Sequence, residues 1–105
     1  MTTVVVVDEA EEQLHESISW WIDNRTDAPT LVLDEFERCL SLLEFTPDVG
    51  LRFHRTPVPG VRRLLMKRTK HHVYYVHDAN NGVVYIIAVW GAPKEGDPVL
   101  HNPLR

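Results

Sequence analysis

The spacing of apolar residues changes once along this chain, and that change limits the folds it can adopt. Between residues 9 and 44 the apolar side chains follow the 3.6-residue period of amphipathic helices, whereas between residues 61 and 90 they alternate as in strands. A β-branched run, TTVVVV at residues 2–7, precedes the helical part and is predicted to be one more strand. The predicted element order is therefore β-α-α-β-β-β.

Two helices are predicted in the first half of the chain. The first begins at Asp8, which together with Glu11 has the spacing of a capping box. Its apolar stripe consists of Ala10, Leu14, Ile18, Trp21 and Ile22. The turn-forming segment NRTDAP (24–29) ends it, and a second helix runs to about Glu44. The apolar stripe of that helix includes Leu33, Phe36, Leu40 and Leu43. Because the connection is short, we expect an antiparallel helical hairpin.

Three strands are predicted in the second half, at Val61–Thr69, His71–Asp78 and Val83–Trp90. The Asn-Gly pair within ANNG (79–82) indicates a tight turn between the last two. Each of the segments 46–60 and 91–105 has three prolines and two glycines, which predicts a long loop and an irregular tail. We therefore expect residues 1–105 to form one α+β domain, with a helical hairpin on one face of an antiparallel sheet. The other face is left for solvent or a partner.

Charge is divided unevenly between the two halves of the chain. Residues 1–50 contain 12 acidic and 2 basic residues, for a net charge of −10, whereas residues 51–105 contain 9 basic and 3 acidic residues, for +6. This asymmetry is typical of a protein with an oppositely charged partner, and packing of the two halves against each other would also produce it.

The basic charge is concentrated in RRLLMKRTKHHVYYV (62–76), which holds five Lys or Arg residues. In a strand, Arg63 and Lys67 share one face and Arg62, Arg68 and Lys70 share the other, so the charges do not segregate to one face of the sheet. One interpretation is that they solvate an edge and prevent aggregation. The other is that they form a platform for phosphate or acidic groups, with Tyr74 and Tyr75 as stacking residues. Spacing alone favours neither interpretation.

Metal, cofactor and membrane functions have little support in the sequence. His71 and His77 lie roughly 20 Å apart along one strand, so they cannot share a metal ion, and we expect surface histidines. No cofactor or catalytic motif is present. The single cysteine, Cys39, cannot form an intramolecular disulfide. Since no apolar run is long enough for a bilayer span and the start lacks a basic signal region, we expect a cytoplasmic protein.

Residues 61–90 resemble the C-terminal sheet of the RelE/ParE superfamily of toxins from type II toxin–antitoxin systems. The resemblance rests on the basic-hydrophobic strand that begins at Val61, on RTKHHVYY (68–75) and on the terminal IIAVW (86–90). It implies the same β-α-α-β-β-β order and a bacterial toxin around which an antitoxin wraps its C-terminal segment. The ParE-like branch poisons DNA gyrase, whereas the RelE-like branch cuts mRNA in the ribosome.

The residues after Trp90 favour the ParE-like branch. Many relatives read His-Ala-Arg-Arg where this chain reads Gly91-Ala92-Pro93-Lys94. Attack by a ribose 2′-OH needs a base, an acid and cations at the scissile phosphate, and here the imidazole and guanidinium are missing. His101 would replace them only if the proline-rich tail folded back.

Three functions therefore remain open. The leading hypothesis is a ParE-like toxin that binds gyrase, performs no chemistry and is neutralised by a cognate antitoxin. The alternatives are a ribosome-dependent mRNA endonuclease and a non-toxic module that only binds antitoxin. The candidate residues for target or antitoxin binding are Arg62, Arg63, Lys67, Arg68, Tyr74, Tyr75, Trp90 and Lys94. In the endonuclease, the first four would bind phosphate and one of the tyrosines would stack on a base.

Overall fold

The computed structural model describes residues 1–91 and 96–104. Its elements in chain order are β1 (Thr3–Val6), α1 (Asp8–Asn24), α2 (Leu31–Phe45), β2 (Leu51–Arg52), β3 (Val61–Met66), β4 (His71–Asp78) and β5 (Val83–Gly91). The predicted α+β fold is confirmed. The two-residue strand β2 lies within the predicted loop and was not predicted from the sequence.

The five strands form one sheet in the order β1-β5-β4-β3-β2. Strands β2 to β5 pair antiparallel with their neighbours, whereas β1 pairs with β5 in parallel. The sheet is therefore mixed rather than wholly antiparallel. Since the intervening helical hairpin and strands carry the chain back to the end of the sheet where β1 begins, β5 runs in the same direction as β1.

Both helices pack on one face of the sheet and bury a core there. The helices contribute Ala10, Leu14, Val32, Phe36, Cys39 and Leu43, and the strands contribute Met66, Val73, Tyr75, Val84, Ile86 and Val89. This arrangement follows from the apolar stripes of the two helices, whose polar sides remain exposed. It confirms the predicted helical layer.

The other face of the sheet is not bare, which corrects the expectation that it would be left open. A second core on this face contains Phe53 and Val58 from the loop before β3, Leu100 from the tail, and the strand residues Val61, Tyr74, Val76, Ile87 and Ala88. Isolated apolar residues within proline- and glycine-rich segments carry no periodic signal, so this core was not predictable from the sequence.

A β-bulge in β5 determines which side chains reach this second face. Tyr74 pairs with Ala88 and Tyr75 pairs with Ile86, so Ile87 is an extra residue in β5. Ile87 and Ala88 both lie in the second core, and the alternation shifts by one position after them. As a result, Trp90 packs against the second core instead of the helices.

The start of α1 differs from the prediction. Val7 is the N-cap residue and no side chain caps the helix, while the N–H of Glu11 donates to the Val7 carbonyl oxygen at 2.9 Å. Asp8 is therefore inside the first turn, and the predicted capping box is wrong. The carboxylates of Asp8, Glu9 and Glu11 still lie at the positive end of the helix dipole, where they are favourable.

Candidate functional site

Arg62 is held by the loop that precedes β2. Its Nη1 donates to the Gly50 carbonyl oxygen at 2.8 Å, and its Nε lies 3.8 Å from Oδ1 of Asp48. The same carboxylate oxygen lies 2.9 Å from Nδ1 of His77. Asp48 belongs to the acidic first half of the chain, so one of the four predicted basic site residues is already paired within the molecule.

Arg63 lies on the second face, where its guanidinium stacks on aromatic rings. Its Cζ is 5.1 Å from the Phe53 ring centroid and 5.9 Å from that of Tyr74, and its Nη1 donates to the Tyr74 hydroxyl at 3.3 Å. Arg55, from the loop before β3, lies 5.0 Å from the same Phe53 ring. The guanidinium of Arg55 donates to both carboxylate oxygens of Asp97, at 2.9 and 3.4 Å. Two cations and one carboxylate thus converge beside Phe53.

His72 completes this group. It pairs with Leu65 in β3 and with Trp90 in β5, and its ring centroid is 6.0 Å from that of Tyr74. Burial lowers the pKa of His72, the nearby Arg63 charge lowers it further, and Asp97 partly offsets both effects. The pKa of Asp97 is lowered, chiefly by its hydrogen bond from Arg55. We call Arg55, Arg63, His72 and Asp97 the sheet-face cluster.

The two tyrosines are buried rather than exposed. Tyr74 is 1% exposed in the second core and Tyr75 is 0% exposed in the first. The Tyr75 hydroxyl accepts a hydrogen bond from the N–H of Gly50 at 2.8 Å. Neither ring is accessible for stacking on a base, which corrects the interpretation of them as surface groups.

The predicted site residues Lys67 and Arg68 lie just beyond the opposite end of β3. The prediction extended this strand to Thr69, but it ends at Met66, and residues 67–70 form the turn into β4. The N–H of Lys70 donates to the Met66 carbonyl oxygen at 2.9 Å, and Lys70 has a positive φ of 60°. Lys67, Arg68 and Lys70 are all exposed. We call residues 67–70 the hairpin tip.

A buried glutamate fixes the hairpin tip to α2. The Glu35 carboxylate accepts hydrogen bonds from the backbone N–H groups of Arg68, at 3.0 Å, and Thr69, at 2.9 Å. Burial raises the pKa of Glu35, but the Thr69 side chain, these two N–H groups and the Arg38 charge together lower it by more. The turn is thus tied to the helical layer by an ionised side chain.

The Glu35 contacts predict a dependence of stability on pH. Since the folded-state pKa lies below the usual value, Glu35 contributes stability above its unfolded pKa, and that contribution disappears as the pH falls through the folded pKa. We expect the difference in unfolding free energy between the wild type and Glu35→Gln to shrink between about pH 6 and about pH 3. Urea denaturation at several pH values measures it, and a constant difference would contradict this role.

His71 is buried beneath the hairpin tip, which corrects the expectation that the histidines lie on the surface. Its Nε2 is 3.0 Å from Oγ of Ser17 in α1, and its Nδ1 is 3.1 Å from the Thr69 carbonyl oxygen. His71 therefore joins the start of β4 to the first helix. Among residues 1–91 and 96–104, no three His, Cys, Asp or Glu side chains are grouped so as to hold a metal ion.

A groove of about 810 Å³ lies between the hairpin tip and the helical hairpin. Trp20 and Trp21 line it on one side and Arg68 and Lys70 on the other. Trp20 is 52% exposed, whereas Trp21 packs against the first core, as expected for adjacent helical residues. The Arg25 guanidinium carbon lies 5.7 Å from both ring centroids. This groove combines an exposed aromatic surface with exposed cations and with two acidic residues, Glu16 and Asp27.

The tail packs against the sheet, but His101 lies away from the Arg55–Asp97 ion pair of the sheet-face cluster. Leu100 is buried in the second core, and the Gly96 carbonyl oxygen accepts a hydrogen bond from Nε1 of Trp90 at 3.2 Å. His101 instead lies beside α1, with its Nε2 3.7 Å from Oε2 of Glu9. The predicted site residue Lys94 lies outside the described residues.

Three solved structures share this architecture at low sequence identity. A chromosomal ParDE toxin–antitoxin system from P. aeruginosa gives a TM-score of 0.69 at 14% identity, covering 87% of this chain and 96% of that one. The intact E. coli RelBE toxin–antitoxin complex gives 0.65 at 14% identity, covering 90% and 100%. The isolated E. coli RelE toxin gives 0.64 at 14% identity, covering 90% and 88%. The chain has the RelE/ParE toxin fold.

The sequence comparisons do not assign the chain to a protein family. No protein-family model matches the chain, and no curated protein matches it. Structures of both the ParE and the RelE type superpose on nearly the whole chain, so the RelE/ParE fold does not decide between a gyrase and a ribosome target. Within the described residues, no helix has the length and apolar character needed to cross a membrane.

Proposed function

We propose that this chain is the toxin of a bacterial toxin–antitoxin pair and inhibits DNA gyrase in the cytoplasm through protein–protein contact. One observation carries the proposal. Two cations of the second half are engaged by the chain itself, Arg62 by Asp48 and Gly50 and Arg55 by Asp97, whereas the cations of the hairpin tip are exposed. Phosphodiester cleavage requires cations open to a phosphate, whereas binding of a protein requires only an exposed surface.

A cognate antitoxin is the second partner in this proposal. Two of the similar structures are described as a ParDE system and a RelBE toxin–antitoxin complex. In this chain the groove offers Trp20 as an apolar contact and Arg68 and Lys70 as cations beside it. An amphipathic, acidic antitoxin helix has the complementary pattern, because its apolar stripe would cover the tryptophan while its carboxylates meet the hairpin tip.

The gyrase proposal is tested with purified proteins. Supercoiling of relaxed plasmid by DNA gyrase should fall as the chain is added in excess over the enzyme. We expect Lys67→Glu to raise the concentration needed for half-inhibition roughly tenfold, because a reversed charge at the hairpin tip would repel an acidic target surface. Arg52→Glu is the matched control, since Arg52 is exposed on the edge strand β2, away from the hairpin tip. Unchanged supercoiling at a large excess of toxin would refute the gyrase target.

The sheet-face cluster also supports a second candidate, the ribosome-dependent mRNA endonuclease. Arg55 and Arg63 have the charge to bind a phosphate, and the lowered pKa of His72, caused chiefly by burial, favours the neutral imidazole, which can accept a proton. Sequence analysis had not assigned Arg55, His72 or Asp97 to a site. If transcripts were cut after induction in cells and His72→Gln abolished cutting, this candidate would replace gyrase inhibition. Intact transcripts, unaffected supercoiling and normal growth would instead indicate a module that only binds antitoxin.

A further inference from the structure

The groove between the hairpin tip and the helical hairpin has charges of opposite sign on its two walls. Glu16 and Asp27 lie on the helical wall, whereas Arg68 and Lys70 lie on the wall formed by the hairpin tip. All four residues are exposed, and within residues 1–91 and 96–104 none of them takes part in an ion pair. A ligand that carries both signs of charge can therefore form charge-assisted hydrogen bonds with both walls at once.

Trp20 gives the helical wall an exposed aromatic surface. It is 52% exposed, and its ring centroid lies 6.0 Å from that of Trp21, with an angle of 58° between the ring planes. Arg25 belongs to the same wall, but its guanidinium already lies against both rings, with Cζ 5.7 Å from each centroid. The exposed part of Trp20 is thus a surface on which an aromatic ring of a ligand can pack.

Trp21 contributes an unpaired hydrogen-bond donor. Its Nε1 is buried, yet this N–H has no acceptor in the described part of the chain. A buried N–H without an acceptor is unfavourable, because it has lost its hydrogen bond to water and gained none in return. Since Trp21 lines the groove, a carbonyl group bound there is an acceptor that this N–H can reach after a small movement of the ring.

We propose that this groove binds a short zwitterionic peptide with an aromatic side chain. The peptide ammonium pairs with Glu16 and Asp27, its carboxylate pairs with Arg68 and Lys70, and its ring packs on Trp20. A volume of about 810 Å³ accommodates two or three residues and lies within the range of small-molecule sites. A peptide is favoured over an aromatic anion, because an anion alone would leave the two acidic side chains unpaired.

The binding test uses the full chain by itself and the dipeptide phenylalanyl-alanine, titrated by isothermal titration calorimetry. We expect half-saturation at or below about 1 mM, whereas no saturation by about 10 mM would overturn the site. N-acetylation and C-terminal amidation of the dipeptide should each weaken binding roughly fivefold, because each removes one charge. Free phenylalanine, whose two charges share one carbon, should also bind more weakly. Equal affinity for all four compounds would overturn the pairing with both walls.

Matched variants assign each charge of the peptide to one wall. Glu16→Gln combined with Asp27→Asn should weaken binding of the dipeptide severalfold but leave binding of its N-acetylated form unchanged. Glu12→Gln combined with Asp23→Asn removes the same charge from exposed positions on α1 that do not line the groove, and should have little effect. Equal effects of the two double variants would contradict the site.

The opposite wall has its own pair of variants. Arg68→Gln should weaken binding of the dipeptide severalfold but not binding of its amidated form, whereas the control Arg52→Gln, on the exposed strand β2, should weaken neither. Equal losses for the dipeptide and its amide would show that Arg68 does not meet the carboxylate.

A second measurement locates the ligand without using affinity. In a ¹⁵N-labelled chain, the indole N–H resonance of Trp21 should move downfield as the dipeptide is added, because the N–H gains an acceptor. Trp20→Leu should weaken binding roughly fivefold. Movement of the Trp90 indole resonance alone would place the ligand on the other face of the sheet and overturn the proposal. Neither gyrase nor antitoxin is present in these measurements, so failure of the peptide site and failure of the proposed function are distinguishable.

Discussion

Replacing Glu35 with alanine should lower the free energy of unfolding by about 3 kcal/mol, because two backbone N–H groups would lose their acceptor at once. These are the N–H groups of Arg68 and Thr69, and both hydrogen bonds end on the Glu35 carboxylate. Glu35 and Thr69 are buried, so water cannot fully replace the lost acceptor. For a chain of this size the expected loss corresponds to a fall in Tm of roughly 15 °C, measured by circular dichroism.

Glu37→Ala is the matched control for this loss. Glu37 lies two residues along the same helix, is exposed and would lose the same charge, so we expect its unfolding free energy to change by less than about 0.5 kcal/mol. Equal effects of the two substitutions would show that the Glu35 bonds contribute little. Because Glu35 also positions the hairpin tip, Glu35→Ala should weaken the proposed gyrase inhibition even at temperatures where the chain remains folded.

The elements of this fold were largely predictable from periodicity. The apolar stripes of α1 and α2, the alternation in β4 and the alternation in β5 as far as its bulge each indicate which face of the element a residue lies on, and this can be read from the sequence alone. Glu35 was not predictable in the same way. An acidic residue on a helix usually lies on the solvated side, and its burial depends on a turn more than thirty residues away in sequence.

The sheet-face cluster was beyond sequence reasoning for a similar reason. Arg63 was identified from the family pattern, but its partners come from a loop and a tail that have no periodicity. The bulge at Ile87 moved Trp90 to the second face, and it leaves no mark in the alternating pattern of an apolar strand. Arg55 and Asp97 could therefore be identified as candidate site residues only from the structure, because the packing of the second core determines where they lie.

Gly50→Ala should be at least as damaging as loss of Glu35, because no space exists for a Cβ at this position. An added Cβ would lie 2.7 Å from the Tyr75 hydroxyl, 2.8 Å from Cε1 of the same ring and 2.9 Å from the Arg63 carbonyl oxygen. The Tyr75 ring is completely buried, and the Arg63 backbone is paired with Leu51 and Tyr74. Moving either neighbour would therefore disrupt core packing or strand pairing. We expect a loss of roughly 3 kcal/mol in the free energy of unfolding, measured by urea denaturation.

Gly82→Ala is the control for this steric effect, because it replaces a glycine at a position where an added methyl group has space. Gly82 has a positive φ of 64° but nothing within 4 Å of an added Cβ, so alanine there should cost only about 1 kcal/mol of backbone strain. A smaller effect at Gly50 than at Gly82 would show that the loop moves aside to admit a methyl group. Any shift of residue 50 that relieves the clash should also move the Gly50 carbonyl, so Gly50→Ala should weaken its hydrogen bond with the Arg62 guanidinium.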